Sequence, residues 1–268
     1  MPSEYNPNMV ASMEAKFRRL NNPAHAMADA IGMLQMFPGV VGIWPGSVVG
    51  ASGQLIDVSG NGLHMTANNA PTFATLTNLV APAVRYSSGS SQYHSLASAI
   101  GSATDINGNE AYINSAIQGL TFVCTVQFVT VPASVMYIAA KSIGGANAWL
   151  LVKDASNNIQ FSIFNSATQY SVVSSITVAG LTPYIIVARF DPSAGLYLRV
   201  NNDEQSNTTS IPATIDSNAT AFTIGARATP SDYLDGTLSL AALAAAHVPN
   251  RVAQAYYQMI APLFGVSV

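Results

Sequence analysis

From about Val40 onward the chain is a succession of short segments rich in Val, Ile, Thr, Phe and Tyr, separated by turn clusters. VVGIW, TFVCTVQFVTV, VMYIAAKS, AWLLVKD, IQFSIFN, YSVVSSITV, YIIVARFD, GLYLRVNN, AFTIGAR and GTLSLAALAAAHV are such segments, and SIGGAN, DASNN, DPSAG and NNDE are such clusters. β-branched and aromatic residues suit a pleated, half-buried surface. The pattern therefore predicts an all-β, antiparallel, two-sheet sandwich or jelly roll rather than βαβ units. With 268 residues, a chain of this kind buries roughly three quarters of its unfolded surface, so the core needs no covalent staples.

The first forty residues follow a different period. Asn8 is placed to cap a helix carrying Met9, Met13, Phe17 and Leu20 on one face. Asn22 and Pro23 fit the cap and first residue of a second helix over residues 24–37. Its apolar side is Met27, Ile31 and Leu34, broadened by Met33 and Met36, and Pro38-Gly39 stops it. Two roles fit this methionine-rich pattern equally: covering the β domain's own core, or docking onto a partner through Met9, Met13, Phe17, Leu20, Met27, Ile31 and Leu34. The expected organisation is a helical arm over 1–39 and a β domain over 40–268. A short C-terminal helix opens at Pro249-Asn250 and carries Val252, Tyr256 and Met259 or Ile260 on one side.

Charge narrows the function. Only 9% of residues are charged, and the net charge is −3. A nucleic-acid face would need clustered Lys and Arg, so no nucleic-acid partner is expected. No apolar run reaches the eighteen or so residues of a membrane span, and the N-terminus lacks a secretory apolar region. Cys124 is the single cysteine and sits in an apolar strand as core filler.

An ordered set of motifs resembles the laminin-G-like, concanavalin A-like jelly-roll superfamily. Trp44 precedes Asp57-Val58-Ser59-Gly60-Asn61-Gly62, matching the family's early tryptophan and D-x-S-G-N-G loop. VRYSSGSSQYHSLAS and the Thr121–Val129 strand follow. YIIVARFD then LYLRVNN, Phe222-Thr223-Ile224-Gly225 and the closing YLDGTLSL complete the order. The resemblance covers about residues 43–262 and implies a concanavalin A-like sandwich. It also implies calcium near Asp57 and Asn61, assisted by a closing-strand Asp, but that position is Ser239 here. Calcium takes six to eight oxygens, usually with several carboxylates. The other reading of the loop is that Asp57 caps its own turn, with Gly60 and Gly62 at positive φ.

Other chemistry is thinly supplied. The paired carboxylates of a glycosidase have no local cluster to come from, and Asp203-Glu204 reads as a turn. His25, His64, His94 and His247 lie in separate segments without ligand spacing. Trp149, Tyr170, Tyr184, Tyr197 and Tyr233 are the aromatic candidates for sugar contact. The expected function is non-enzymatic. It is a structural protein of a tailed-phage particle, on capsid or tail, in many copies or as a homo-oligomer among other virion proteins. Phage particles carry domains resembling this family. The alternative is a lectin-like carbohydrate-binding module, calcium-assisted or not, working outside the cell on surface glycans. A glycoside hydrolase ranks third.

Overall fold

The computed structural model describes residues 23–75, 82–96, 119–143, 146–192, 194–216, 220–228 and 231–266. Met9, Met13, Phe17 and Leu20 lie outside the described residues. Two sheets account for the described strands, and every pairing is antiparallel.

The first sheet has eight strands. It takes β1 (Val40–Pro45), β3 (Thr72–Thr75), β4 (Pro82–Tyr86), β6 (Leu120–Phe128), β11 (Pro183–Asp191), β12 (Gly195–Val200), β13 (Asp203–Asn207) and β15 (Gly236–Ala244). Its order is β13-β12-β11-β6-β15-β4-β3, with β1 also on β15. One edge of β15 serves two partners in turn: Gly236–Leu238 pair with β4 and Leu240–Ala244 with β1. The register shifts between Leu238 and Leu240, so Ser239 is the extra residue of a bulge, and its carbonyl accepts from Gly46 N–H at 2.7 Å.

The second sheet has seven strands. These are β2 (Thr66–Asn68), β5 (Tyr93–Leu96), β7 (Met136–Ile143), β8 (Ala146–Lys153), β9 (Asn158–Asn165), β10 (Thr168–Thr177) and β14 (Phe222–Ile224), in the order β10-β9-β8-β7-β14-β5-β2. The result is a two-sheet antiparallel jelly-roll sandwich with a short C-terminal helix. Between the sheets lies the main core, centred on Trp44, Phe122, Trp149 and Phe222, whose rings stand 5.6–6.1 Å apart.

Helices α1 (Pro23–Leu34) and α2 (Asn250–Ile260) belong to a second core. Ile43, Val123, Ile185, Val187, Leu240, Ala242 and Ala244 project from the outer face of the eight-stranded sheet. Met33, Leu34 and Phe37 join Val252, Tyr256 and Ile260 over them, and Met27 and Ile31 pack at the margin. This corrects the docking role given to Met27, Ile31 and Leu34: burying an apolar helix stripe on the chain's own sheet satisfies it without a partner. Residues 23–39 accordingly share a core with the β domain. Helix α1 also ends three residues earlier than its apolar pattern. Met36 and Phe37 donate to Met33 and Leu34 in i→i−3 bonds that tighten the last turn before Pro38.

Candidate functional site

The outer face of the seven-stranded sheet bears no helix among the described residues. Alternation assigns its residues. In β9, Ile159, Phe161 and Ile163 enter the main core, so Gln160, Ser162 and Phe164 face outward. Cross-strand register extends that face in rows. Tyr137 of β7 pairs with Val152 of β8, Val152 with Gln160, and Gln160 with Val173 of β10. Leu150 pairs with Ser162, Ser162 with Ser171, and Phe164 with Gln169.

A cavity of about 320 Å³ lies on this face. Its floor is Tyr137, Leu150, Val152 and Phe164, which with Ala140 form an apolar cluster separate from both cores. Polar groups surround that floor. Ser162 and Ser171 hydroxyls are 2.8 Å apart, and the amides of Gln160 and Gln169 each donate to both at 2.9–3.1 Å. Those bonds orient the amides and leave their carbonyl oxygens without a donor among the described residues. Val135, Asn147, Asp154 and Arg227 complete the lining. The guanidinium of Arg227 stands 5.8 Å from the Tyr137 ring centroid. An apolar floor bordered by amides, one carboxylate and one guanidinium is suited to a ligand with apolar and hydroxyl-bearing faces.

The aromatic residues singled out from the sequence sit elsewhere. Trp149 and Tyr184 are buried in the main core, and Tyr170 packs against it. Tyr184 uses its hydroxyl to accept from Ala179 N–H. Tyr197 lies under Arg189 beside His247, and Tyr233 lies beside Tyr93. Tyr137 and Phe164 were missed. The signal for Phe164 was the alternation in IQFSIFN, which places it with Gln160 and Ser162. Tyr137 is less legible, because the register shifts between Tyr137 and Ala139.

The DVSGNGLHM loop is a clamp. Asp57 Oδ1 accepts from Ile43 N–H at 2.9 Å and Ser59 N–H at 2.8 Å. Its Oδ2 accepts from the Ser59 hydroxyl at 2.8 Å and Leu63 N–H at 3.0 Å. Asn61 Nδ2 donates to the carbonyls of Val40 and Val41, at the register shift of β1. Gly60 (φ 99°) and Gly62 (φ 71°) supply the left-handed turns this wrap requires. The calcium assignment to Asp57 and Asn61 is therefore corrected. A cation approaching Asp57 meets four hydrogen-bond donors, and Ser239 is buried at a bulge. Among the described residues no group of three or more His, Cys, Asp or Glu is placed to hold a metal.

A third polar cluster ties α2 to the sheet. Glu204 accepts ion pairs from Arg189 at 2.9 Å and Arg199 at 2.7 Å. Arg189 also donates to Val248 O, and Arg199 to Asn250 Oδ1. Burial pushes the Arg189 guanidinium below its ordinary range, and Glu204 opposes that shift. Glu204 is in β13 rather than in the expected turn, which is Asn201-Asn202 instead. His247 Nδ1 lies 3.3 Å from Asp191; burial lowers its pKa against the pull of that carboxylate.

Comparison with known proteins bears on the fold. A scan against protein-family models and a search of curated proteins each found no match. Among solved structures, the chain is similar to the receptor-binding domain of botulinum neurotoxin mosaic serotype C/D (TM-score 0.59, 10% identity, 84% of this chain and 51% of that one). It is likewise similar to the botulinum neurotoxin serotype D ligand-binding domain in complex with N-acetylneuraminic acid (TM-score 0.59, 10% identity, 85% and 52%). A third is the binding domain of Paraclostridial Mosquitocidal Protein 1 (TM-score 0.57, 11% identity, 88% and 56%). The chain spans about half the length of these structures, and identities this low speak to the fold alone.

Proposed function

We propose that the protein is a lectin-like carbohydrate-binding module and that glycans bind on the open face of the seven-stranded sheet. The observation that carries this is the Tyr137–Phe164 floor beside the Gln160–Ser162–Gln169–Ser171 network. Sugar rings stack their C–H faces on aromatic or aliphatic surface, and their hydroxyls seek oriented amides and hydroxyls. The solved structures of similar fold include one with bound N-acetylneuraminic acid and one with rat synaptotagmin II, which supports a binding role.

No hydrolytic step is assigned to the site. Asp154 is the one carboxylate in the lining, and glycoside hydrolysis ordinarily uses two. The virion role rests on low charge, the unpaired Cys124 and the helical arm over 1–39, of which residues 1–22 lie outside the described residues; the open face favours glycan binding over it.

The test is a glycan array followed by titration calorimetry of each hit. Tyr137→Ala and Phe164→Ala are expected to weaken binding roughly tenfold or more, about 1.4 kcal/mol. Tyr197→Ala and Tyr233→Ala should leave it unchanged. Absence of any glycan hit, or hits indifferent to Tyr137 and Phe164, would remove the proposal.

A further inference from the structure

The geometry points to Arg227 as an anion-recognition residue that makes the open face selective for acidic glycans, those bearing a carboxylate or sulfate. The inference rests on the glycan-binding reading and sharpens its ligand class.

Among the described residues, Arg85, Arg189 and Arg199 each pair with a carboxylate. Arg227 lines the cavity, has no ion-pair or hydrogen-bond partner among the described residues, and its Nε is buried without an acceptor. The Nε lies beyond a ligand's reach, and the donors a ligand can meet are the terminal N–H groups, which are not among the buried atoms. The Tyr137 ring braces the guanidinium at 5.8 Å. A planar guanidinium matches carboxylate or sulfate oxygens with two parallel donors, which a hydroxyl cannot reproduce.

Placement also separates Arg227 from the one acid of the site. Ala228 N–H donates to Ser142 O, and Ser142 pairs with Asn147, so Arg227 enters from the Asn147 end of β8. Asp154 closes the other end, and its Oδ1 accepts from Ser156 and Asn158 N–H in its own turn. The two charges therefore do not cancel as a pair. The site presents an anion subsite beside Tyr137 and Asn147, then the Leu150–Val152–Phe164 floor, then an acceptor end at Gln160 and Asp154. An acidic sugar seats its anionic group on Arg227 and its ring on the floor.

The experiment uses the full chain and matched probes: a uronic-acid tetrasaccharide, the same tetrasaccharide with its carboxylates reduced to hydroxymethyl groups, and a sulfated neutral tetrasaccharide. Titrations are run with the wild type, Arg227→Gln and Arg227→Lys, each checked for an unchanged thermal midpoint. The expected result is binding of at least one acidic probe, roughly tenfold or more tighter than the reduced probe, since charge-assisted bidentate bonds are the strong ones. Arg227→Gln should erase that difference. Arg227→Lys should keep part of it, and it serves as the test if the glutamine variant does not fold. Preference for acidic probes should also decline with added salt. Equal binding of reduced and acidic probes, with Arg227→Gln silent, overturns the inference and leaves the glycan-binding reading standing. Acidic preference that survives both substitutions overturns it too, because the anion would then be held elsewhere. Failure of every probe and every arrayed glycan overturns both.

Discussion

On the outer face of the eight-stranded sheet, Ile43, Val123, Ile185, Val187, Leu240 and Ala242 lie beneath α1 and α2. On the outer face of the seven-stranded sheet, Tyr137, Leu150, Val152 and Phe164 meet no helix among the described residues. The difference is written into the strands. Every residue of β6 and β15 is buried, as happens when both sides of a sheet are covered. In the other sheet the central strand β7 is buried at every position but Ile143, and the alternation appears toward the edge, where β10 mixes exposed Val173 and Ser175 with buried Val172 and Ser174. A fully apolar face calls for a cover, whereas a face that intersperses Ser and Gln with a few rings can stay open and recognise something else.

The largest effect should come from truncating the covered face. Leu240→Ala removes a fully buried side chain beneath the helices and is expected to cost about 2–5 kcal/mol in urea denaturation. On the open face, Phe164→Ala truncates a ring that is itself 8% exposed, and it should cost less because the space it leaves adjoins a cavity that water can fill. It should still weaken glycan binding roughly tenfold or more. Equal stability losses would mean that both faces are structural core and would break the contrast.

A second expected effect, about 3 kcal/mol, is specific to the seven-stranded sheet and depends on pH. His94 on β5 is fully buried; its Nε2 faces Gly53 O at 2.9 Å and its Nδ1 the Tyr86 hydroxyl at 3.0 Å. A carbonyl only accepts, so Nε2 carries the proton and Nδ1 accepts from Tyr86. Burial lowers the His94 pKa from 6.5 to about 4, opposed by the Gly53 carbonyl. The unfolded chain therefore takes up this proton near pH 6.5 and the folded chain only near pH 4. Stability should be full above pH 6.5, fall between 6.5 and 4, and level off below. His94→Gln can keep both hydrogen bonds without titrating. Its denaturation free energy should lose most of that slope, with His247 supplying the rest. An unchanged slope would show that the β2–β5 end of this sheet does not carry the acid sensitivity.

Much of the sandwich was legible because turn clusters and β-rich runs are local signals. The main core followed from Trp44, Phe122 and Phe222 lying in those runs. The site was less legible because sheet faces depend on register. Ala148 and Trp149 are consecutive, yet both enter the main core. Tyr137 faces outward while Ile138 and Ala139 both face inward, beside a register shift. Such irregularities reverse the parity by which an outward aromatic could be recognised from sequence. Glu204 was hidden for another reason. A polar edge strand, DEQSN, reads as a turn because its partners, Arg189 and Arg199, are distant or across a hairpin.

The Asp57 clamp tests whether the covered face depends on its rim. It holds β1, and Gln35 just beyond α1 donates to Val58 O in the same loop. Asp57→Asn keeps the shape but puts an amide N–H₂ where an oxygen accepts two donors. The expected loss is about 1–3 kcal/mol, read as a lower urea midpoint with an unchanged slope. A loss below this range would mean that the α1–sheet core sets the position of β1 without the loop.

Calcium should produce the smallest effect of all, a null one. Asp57 already accepts from four donors, and replacing them by a cation would release Ile43, Ser59 and Leu63 N–H from their acceptor. An ion held only by the folded chain at a hundred times its Kd would add about 2.7 kcal/mol and raise the thermal midpoint visibly. Millimolar calcium, or a chelator added to the purified protein, is therefore expected to leave the midpoint where it was. A calcium-dependent rise abolished by Asp57→Asn would show that the loop exchanges its amide donors for a metal. It would also make the rim of the covered face, and not the open sheet, the ligand-responsive part of the molecule. That outcome reverses the comparison, because glycans would then be expected to depend on calcium rather than on Tyr137, Phe164 and Arg227.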